Sequence, residues 1–218
     1  MVSSIKSVAV IPAAGQSRRM GSLHKLLMPW GSQTLLDRVL LAWVTSQIDR
    51  VVIVSRPDDE PLHEAVRRFP RVELVIADQA PRDMKHSVEI GLQYCRFNTI
   101  GPSTIGPDTI DPSDRWLLAP ADLPTLTTGL INRVIEAGRE TTAILVPAFD
   151  RRRGHPVSFP WSLADSVTRL GNDQGINQLL AQNPVVELPI DADEYPQDVD
   201  TPEDYHRLHG ASDAWQSP

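Results

Sequence analysis

Cysteine is nearly absent from this 218-residue chain: Cys95 stands alone. That excludes an internal disulfide and a thiolate metal cage, and it fits a reducing compartment. Positive charge is also in short supply, since 21 Lys and Arg face 28 Asp and Glu for a formal net charge of -7. A sequence-independent grip on nucleic acid needs a cationic face that displaces counterions from phosphates, so nucleic acid is not an expected partner. No apolar run approaches the roughly 18 residues of a membrane span. The opening MVSSIKSVAVI carries one lysine and an apolar run stopped early by Pro12, which is not the make-up of a signal peptide. A cytoplasmic protein with no membrane partner is the expectation. Two familiar phosphate-binding patterns are missing too. Gly15 and Gly21 have five residues between them and no Lys-Ser or Lys-Thr follows, so there is no Walker loop; no Gly-x-Gly pair marks a dinucleotide fingerprint.

What the chain does hold is alternation. With 41% hydrophobic residues it can build one substantial core. SVAVIPA, RVVIVS, VELVIA, RWLLAPA and TAILVPA are short apolar runs bounded by Pro, Asp or Gly, as expected of strands buried on both faces of a parallel sheet. Between the first two, Leu35, Leu36, Val39, Leu40, Trp43 and Val44 recur at helical spacing, with Thr34 and Asp37 as a capping pair. EPLHEAVRRF, KHSVEIGLQYC and LTTGLINRVIEAGRE, the last capped by Thr127 or Thr128, supply further helices. The order predicts a doubly wound α/β fold with helices on both faces, as a single domain over 1–210. Trp43 and the leucines are expected in its core. Residues 99–113 read TIGPS-TIGPD-TIDPS, a five-residue unit whose fourth-position proline forbids a helix; a surface insertion loop is expected there. The polar tail 211–218, with Trp215 its one large apolar residue, is expected to be loosely held.

The stretch VAVIPAAGQSRRMG carries the chemistry. Ala13, Ala14 and Gly15 directly follow a strand, so unhindered backbone amides there can approach an anion, and Arg18, Arg19 and Lys25 follow within ten residues of Gly15. A polyphosphate matches close amides combined with fixed cations. A plain strand-to-helix turn with solvated basic residues matches the same pattern. Asp122, in LLAPADLP, falls at a strand end, on the edge where open α/β sheets bind ligands. In QDVDTPEDY, Thr201 is a helix N-cap, Pro202 the first helical residue and Asp204 the capping partner, which accounts for Glu203 and Asp204 but leaves Asp200, beside Asp198, unexplained. Two carboxylates from separate strand ends suit a Mg²⁺ ion that keeps waters and binds substrate phosphates.

Together, AAGQSRRMG followed by Lys25, ADLP, GHPVSF and DVDTPEDY, in that order over nearly the whole chain, resemble the molybdenum cofactor nucleotidyltransferase family, particularly its cytidylyltransferase branch. The resemblance implies a Rossmann-like nucleotidyltransferase fold whose opening loop binds a nucleoside triphosphate. Gly15, Arg19 and Lys25 match the family's loop glycine, arginine and lysine, and Asp122 and Asp200 its magnesium aspartates. A small side chain, as at Ala14, goes with cytidine use and a glycine there with guanosine use, so CTP is the implied donor. KHSVEIGL resembles the helix start that places a serine, here Ser87, near the base; RRRGHPVSF resembles the acceptor pocket, with Gly154 and His155 as contacts. Two departures stand out. Ala121 and Leu123 replace the family's usual Gly and Met around Asp122, and Asn177 stands where an arginine is usual on the acceptor side. The implied reaction is attack by an acceptor phosphate oxygen, as in molybdopterin, on the α-phosphorus, with loss of pyrophosphate; Lys25, Arg19, Asp122 and Asp200 would neutralise charge. Transfer to a sugar or polyol phosphate, and a nucleotide-binding chaperone or regulatory module without turnover, are the alternatives.

Overall fold

The structure, a computed structural model, describes residues 6–15, 24–97, 110, 111 and 113–214, the last four by backbone alone. The chain opens with β1 (Ser7–Pro12), followed by a small hairpin of β2 (Pro29–Trp30) and β3 (Gln33–Thr34). Then come α1 (Leu35–Val44), β4 (Arg50–Ser55), α2 (Glu60–Arg67), β5 (Val72–Ile76) and α3 (Met84–Phe97). The second half holds β6 (Arg115–Leu118), α4 (Thr128–Arg139), β7 (Ile144–Phe149), β8 (Arg152–Arg153) and β9 (Val157–Pro160). It closes with α5 (Ala164–Arg169), α6 (Asn177–Gln182), β10 (Val185–Pro189) and α7 (Pro202–Ala214). Helix α7 runs to Ala214, and residues 215–218 lie outside the described residues.

All five expected strands and all five expected helices form. The Thr34 hydroxyl accepts from the Asp37 amide while the Asp37 carboxylate accepts from the Thr34 amide, and Thr127 caps α4. Each such cap is worth about 1 kcal/mol. The main sheet runs β10-β7-β9-β6-β1-β4-β5, with β8 paired to β7. Strand β1 is parallel to β4 and β6, β4 to β5, and β10 to β7. The sequence reading missed β9, which inserts antiparallel between β6 and β7. Strands β8 and β10, which both pair with β7, were missed as well.

Alternate residues of β1 serve two cores. Ala9 and Ile11 join the α1, α2 and α4 side chains, whereas Val8 and Val10 join Val88, Leu92 and Cys95 of α3. A three-layer arrangement follows, with Trp43 fully buried as expected. Helix α3 lies so close to β1 that a Cβ at Gly91 would come within 2.7 Å of Val10 Cγ1, so glycine is required there. The Cys95 thiol, packed in the same layer, has its pKa pushed up to about 12 by burial.

Residues 98–109 and 112, most of the five-residue repeat, lie outside the described residues. Its last unit is anchored: Ile110 packs against the core, and Asp114 accepts from the Asp111 and Lys6 amides at 3.0 and 2.9 Å. Among the described residues no helix is long and apolar enough to cross a membrane.

Candidate active site

The parallel strands bring their C-terminal ends to one edge. There Ala13, Ala14 and Gly15 leave β1, and Ala119 to Asp122 leave β6. Because β9 runs antiparallel, its start also reaches this edge, pairing Val157 with Leu118 and setting His155 beside the end of β6. The His155 Nδ1 donates to the Leu118 carbonyl at 3.2 Å. Burial holds the imidazole below the usual histidine range, against smaller opposing effects from that bond and from Asp122 and Asp198.

Asp200 arrives from far downstream along a short pairing of irregular segments. The Val199 amide donates to the Asp122 carbonyl at 3.0 Å, and the Gln197 amide to the Thr125 hydroxyl at 2.7 Å. Immediately after, Asp204 accepts from the Thr201 amide and hydroxyl while Thr201 caps the Asp204 amide, the arrangement expected from TPED. The Asp200 carboxylate takes no part in that box. It accepts instead from Lys25 Nζ at 3.1 Å, and the same ammonium donates to Asp122 at 2.7 Å. Burial works to lower the Lys25 pKa, but Asp122 and, less strongly, Asp200 overcome it, and the net shift is upward. Lys25 therefore stays charged and serves as the shared counter-ion of the aspartates. Two hard carboxylates that already share one cation are a donor set that fits a Mg²⁺ ion keeping part of its water shell.

Two clefts share a wall at the start of α3. One, about 380 Å³, is lined by Ala14, Gly15, Arg82, Asp83, Ser87 and Asp122 among others. The second, about 420 Å³, is bounded by His155, Phe159, Asn172, Gln174 and Asn177. Asp83 and Met84, at the start of α3, line both. A larger concavity of about 720 Å³ opens elsewhere, around Arg115, Arg139 and Thr142. There the Arg115 guanidinium is committed to the Thr141, Ala143 and Ser158 carbonyls, and burial lowers its pKa to about 10. It ties strands together and faces no catalytic group.

Several anticipated residues behave differently from the sequence reading. The Ala13 amide is spent on the Val54 carbonyl at 2.8 Å, so among the described residues only the Ala14 and Gly15 amides stay open to an anion. Ser87 lines the first cleft but is 2% exposed, and its hydroxyl donates back to the Asp83 carbonyl at 3.3 Å. Gly154 borders neither cleft; its amide donates to Pro147, and a Cβ there would meet the Tyr195 ring at 3.2 Å. Arg18, Arg19 and Gly21 lie outside the described residues. Three contributors were overlooked. Arg56 steadies the opening loop by donating to the Gly15 carbonyl at 3.2 Å, and Asp83 with Met84 divides the clefts. Nothing local marks Arg56, which sits in an ordinary strand ending; the KHSVEIGL motif did point at the α3 start.

Comparisons with known proteins give the family and the fold. Residues 9–187 match the MobA-like NTP transferase domain. A protein of Mycobacterium avium (strain 104) named probable molybdenum cofactor guanylyltransferase is 25% identical over 217 residues, covering 95% of this chain and 98% of that protein. The molybdenum cofactor cytidylyltransferase of Escherichia coli (strain K12) is 23% identical over 196 residues, covering 90% of this chain and 92% of that one. Among solved structures, Rv0371C of Mycobacterium tuberculosis H37Rv in complex with manganese is similar at a TM-score of 0.72 and 24% identity, over 94% of this chain and 99% of that chain.

Proposed function

Given that the chain belongs to the family of MobA-like NTP transferase domains, we propose that it transfers CMP from CTP to a phosphorylated acceptor of the molybdopterin type, releasing pyrophosphate. The observation that carries this reading is the Lys25 ammonium bridging Asp200 and Asp122, the latter in the wall of the first cleft. A nucleotide in the first cleft would meet the Ala14 and Gly15 amides with its phosphates, and an acceptor in the second would approach from the His155 and Asn177 side. Arg19, by its place in the loop motif, would add a further cation.

An acceptor phosphate is ionised at neutral pH, so its oxygen attacks the α-phosphorus without a general base. The bond to the β-phosphate oxygen breaks and pyrophosphate leaves with the electron pair. The chain supplies positioning and charge. Asp122 and Asp200 would hold Mg²⁺, which when bound supplies a divalent charge against the reacting phosphates. Lys25, within reach of both aspartates, balances charge on the leaving side. His155, held neutral by burial, offers hydrogen bonding without adding charge beside the carboxylates.

CTP as donor rests on Ala14, which lines the first cleft at the loop position where, by the family resemblance, a small side chain goes with cytidine and a glycine with guanosine. The guanylyltransferase name of the Mycobacterium avium relative favours GTP as a second reading. Asn177, in the place of a customary arginine, favours comparison with sugar and polyol phosphates as acceptors. The test is mass spectrometry of products from each NTP, with Mg²⁺ and either molybdopterin or a set of sugar and polyol phosphates. A CMP adduct of molybdopterin is the expected product. A GMP adduct transfers the donor assignment to GTP, an adduct only with sugar or polyol phosphates overturns the acceptor, and no adduct from any combination overturns the reading.

A further inference from the structure

We propose that Lys85 is a positioning residue for the acceptor: its buried ammonium braces loop 170–177, a wall of the acceptor-side cleft, against the start of α3, which walls the nucleotide cleft. This rests on the functional reading above for the identity of the two clefts.

Lys85 is 5% exposed. Lysine is almost never so buried unless paired, because taking an ammonium out of water costs several kcal/mol or more. Among the described residues no carboxylate pairs with it. Its Nζ donates to two successive main-chain carbonyls, Gly171 at 2.5 Å and Leu170 at 3.3 Å. Leu170 is the extended C-cap residue that follows α5, so its carbonyl has no partner within the helix. The ammonium is thus held by the loop and holds it in turn.

From that anchor the loop closes on itself. The Gly171 amide donates to the Gln174 side-chain oxygen at 2.8 Å, and the Gln174 amide donates to the Gly171 carbonyl at 3.1 Å. Gly171 O is therefore the shared acceptor of the turn and of Lys85. The turn presents Asn172, Gln174 and Asn177 to the cleft, across from His155. A weaker second tie runs from Arg82 to the Asn172 side-chain oxygen at 3.4 Å. Both ties originate at the first residues of α3 and the segment just before it, where Asp83 and Met84 face both clefts. An apolar residue at 85 would fill the space at lower desolvation cost but would leave Leu170 and Gly171 carbonyls unsatisfied and the turn free to shift. A shift of about 1 Å in a positioning element is enough to cost roughly 10²-fold in kcat/KM.

The test uses Lys85→Met, which keeps length and removes the donors, and Lys85→Arg, which keeps the charge. Steady-state constants are measured for molybdopterin and for the nucleotide that the wild type uses. Calorimetry gives nucleotide affinity, and amide hydrogen exchange follows residues 170–177. Expected for Lys85→Met are a loss of roughly 10²-fold in kcat/KM for molybdopterin, carried by KM, unchanged nucleotide affinity, and faster exchange confined to the loop. Lys85→Arg should recover most of the acceptor KM. Equal losses toward both substrates, or an unchanged acceptor KM, overturn the proposal. Should Lys85→Met fail to fold, Gln174→Ala, which removes the loop's inner closure, must raise the acceptor KM alone; no rise overturns the proposal equally. If the wild type transfers nothing to molybdopterin, the functional reading fails, and unaltered exchange in 170–177 of Lys85→Met separately refutes the brace.

Discussion

Replacing Lys25 by methionine removes the ammonium that bridges Asp122 and Asp200 while keeping the apolar stem. The counter-ion that the two carboxylates share is then lost. Breaking a fully buried pair costs about 3–5 kcal/mol, whereas exposed pairs are worth about 0.2–1 kcal/mol. Here the side chains are 11%, 22% and 40% exposed for Lys25, Asp122 and Asp200, so solvent screens part of the repulsion. An intermediate cost of about 1–2 kcal/mol follows. For a chain of this size that corresponds to a Tm lower by about 2–8 °C. A divalent cation should then do what the lysine did, and Mg²⁺ should raise the Tm of Lys25→Met more than that of the wild type, in which the metal must compete with Nζ. Thermal unfolding followed by circular dichroism, with and without MgCl₂ and without nucleotide, reads both effects. Turnover should fall even where Mg²⁺ restores stability, because charge on the leaving phosphate grows in the transition state. An unchanged Tm together with an equal Mg²⁺ response in both proteins would refute the idea that Lys25 neutralises the aspartates.

Other perturbations act on separate parts of the argument. Asp122→Asn and Asp200→Asn should each lower turnover by orders of magnitude with the fold intact, and near-wild-type turnover of both at saturating Mg²⁺ rules out the metal pair. The His155 pKa is lower in the folded chain than the value of about 6.5 it has when unfolded. The unfolded state therefore takes up the proton first, so this contribution to stability is complete above about pH 6.5 and is lost as pH falls through the folded value. Urea unfolding from pH 7 to 5 should show a shallower decline for His155→Gln, and an identical slope sinks the assignment. Deleting Thr99–Asp108, two whole units of the repeat, should change stability by less than about 1 kcal/mol, since closure entropy varies only logarithmically with loop length. Deleting Thr104–Ser113 instead removes Ile110 and Asp111 and should lower the Tm measurably. Equal melting of the two deletions contradicts the anchoring of the last unit.

The elements themselves were legible because their signals are local. Strand runs such as RVVIVS and helix caps such as Thr34 with Asp37 or Thr201 with Asp204 depend on residues a few positions apart. The chain meets them whatever its tertiary arrangement. Asp200 was legible by elimination, since the cap of α7 used its neighbours and left it over. Strand direction was not. VSFP has the same apolar pattern whether it runs parallel or antiparallel, and only pairing with β6 and β7 decided that β9 reverses and carries His155 to the site edge. Nor does any short-range rule connect Val199 with Asp122, the hydrogen bond that brings the second aspartate to the first. Sequence by itself determined which side chains were available for the chemistry and which local elements they sit on. Tertiary structure decided their partners: that Lys25 lies between two aspartates 97 and 175 residues away, and that Lys85 is buried against a loop 85 residues on. Those pairings follow from burial and long-range backbone hydrogen bonding, which are set by the packed sheet as a whole and not by any window of neighbouring residues.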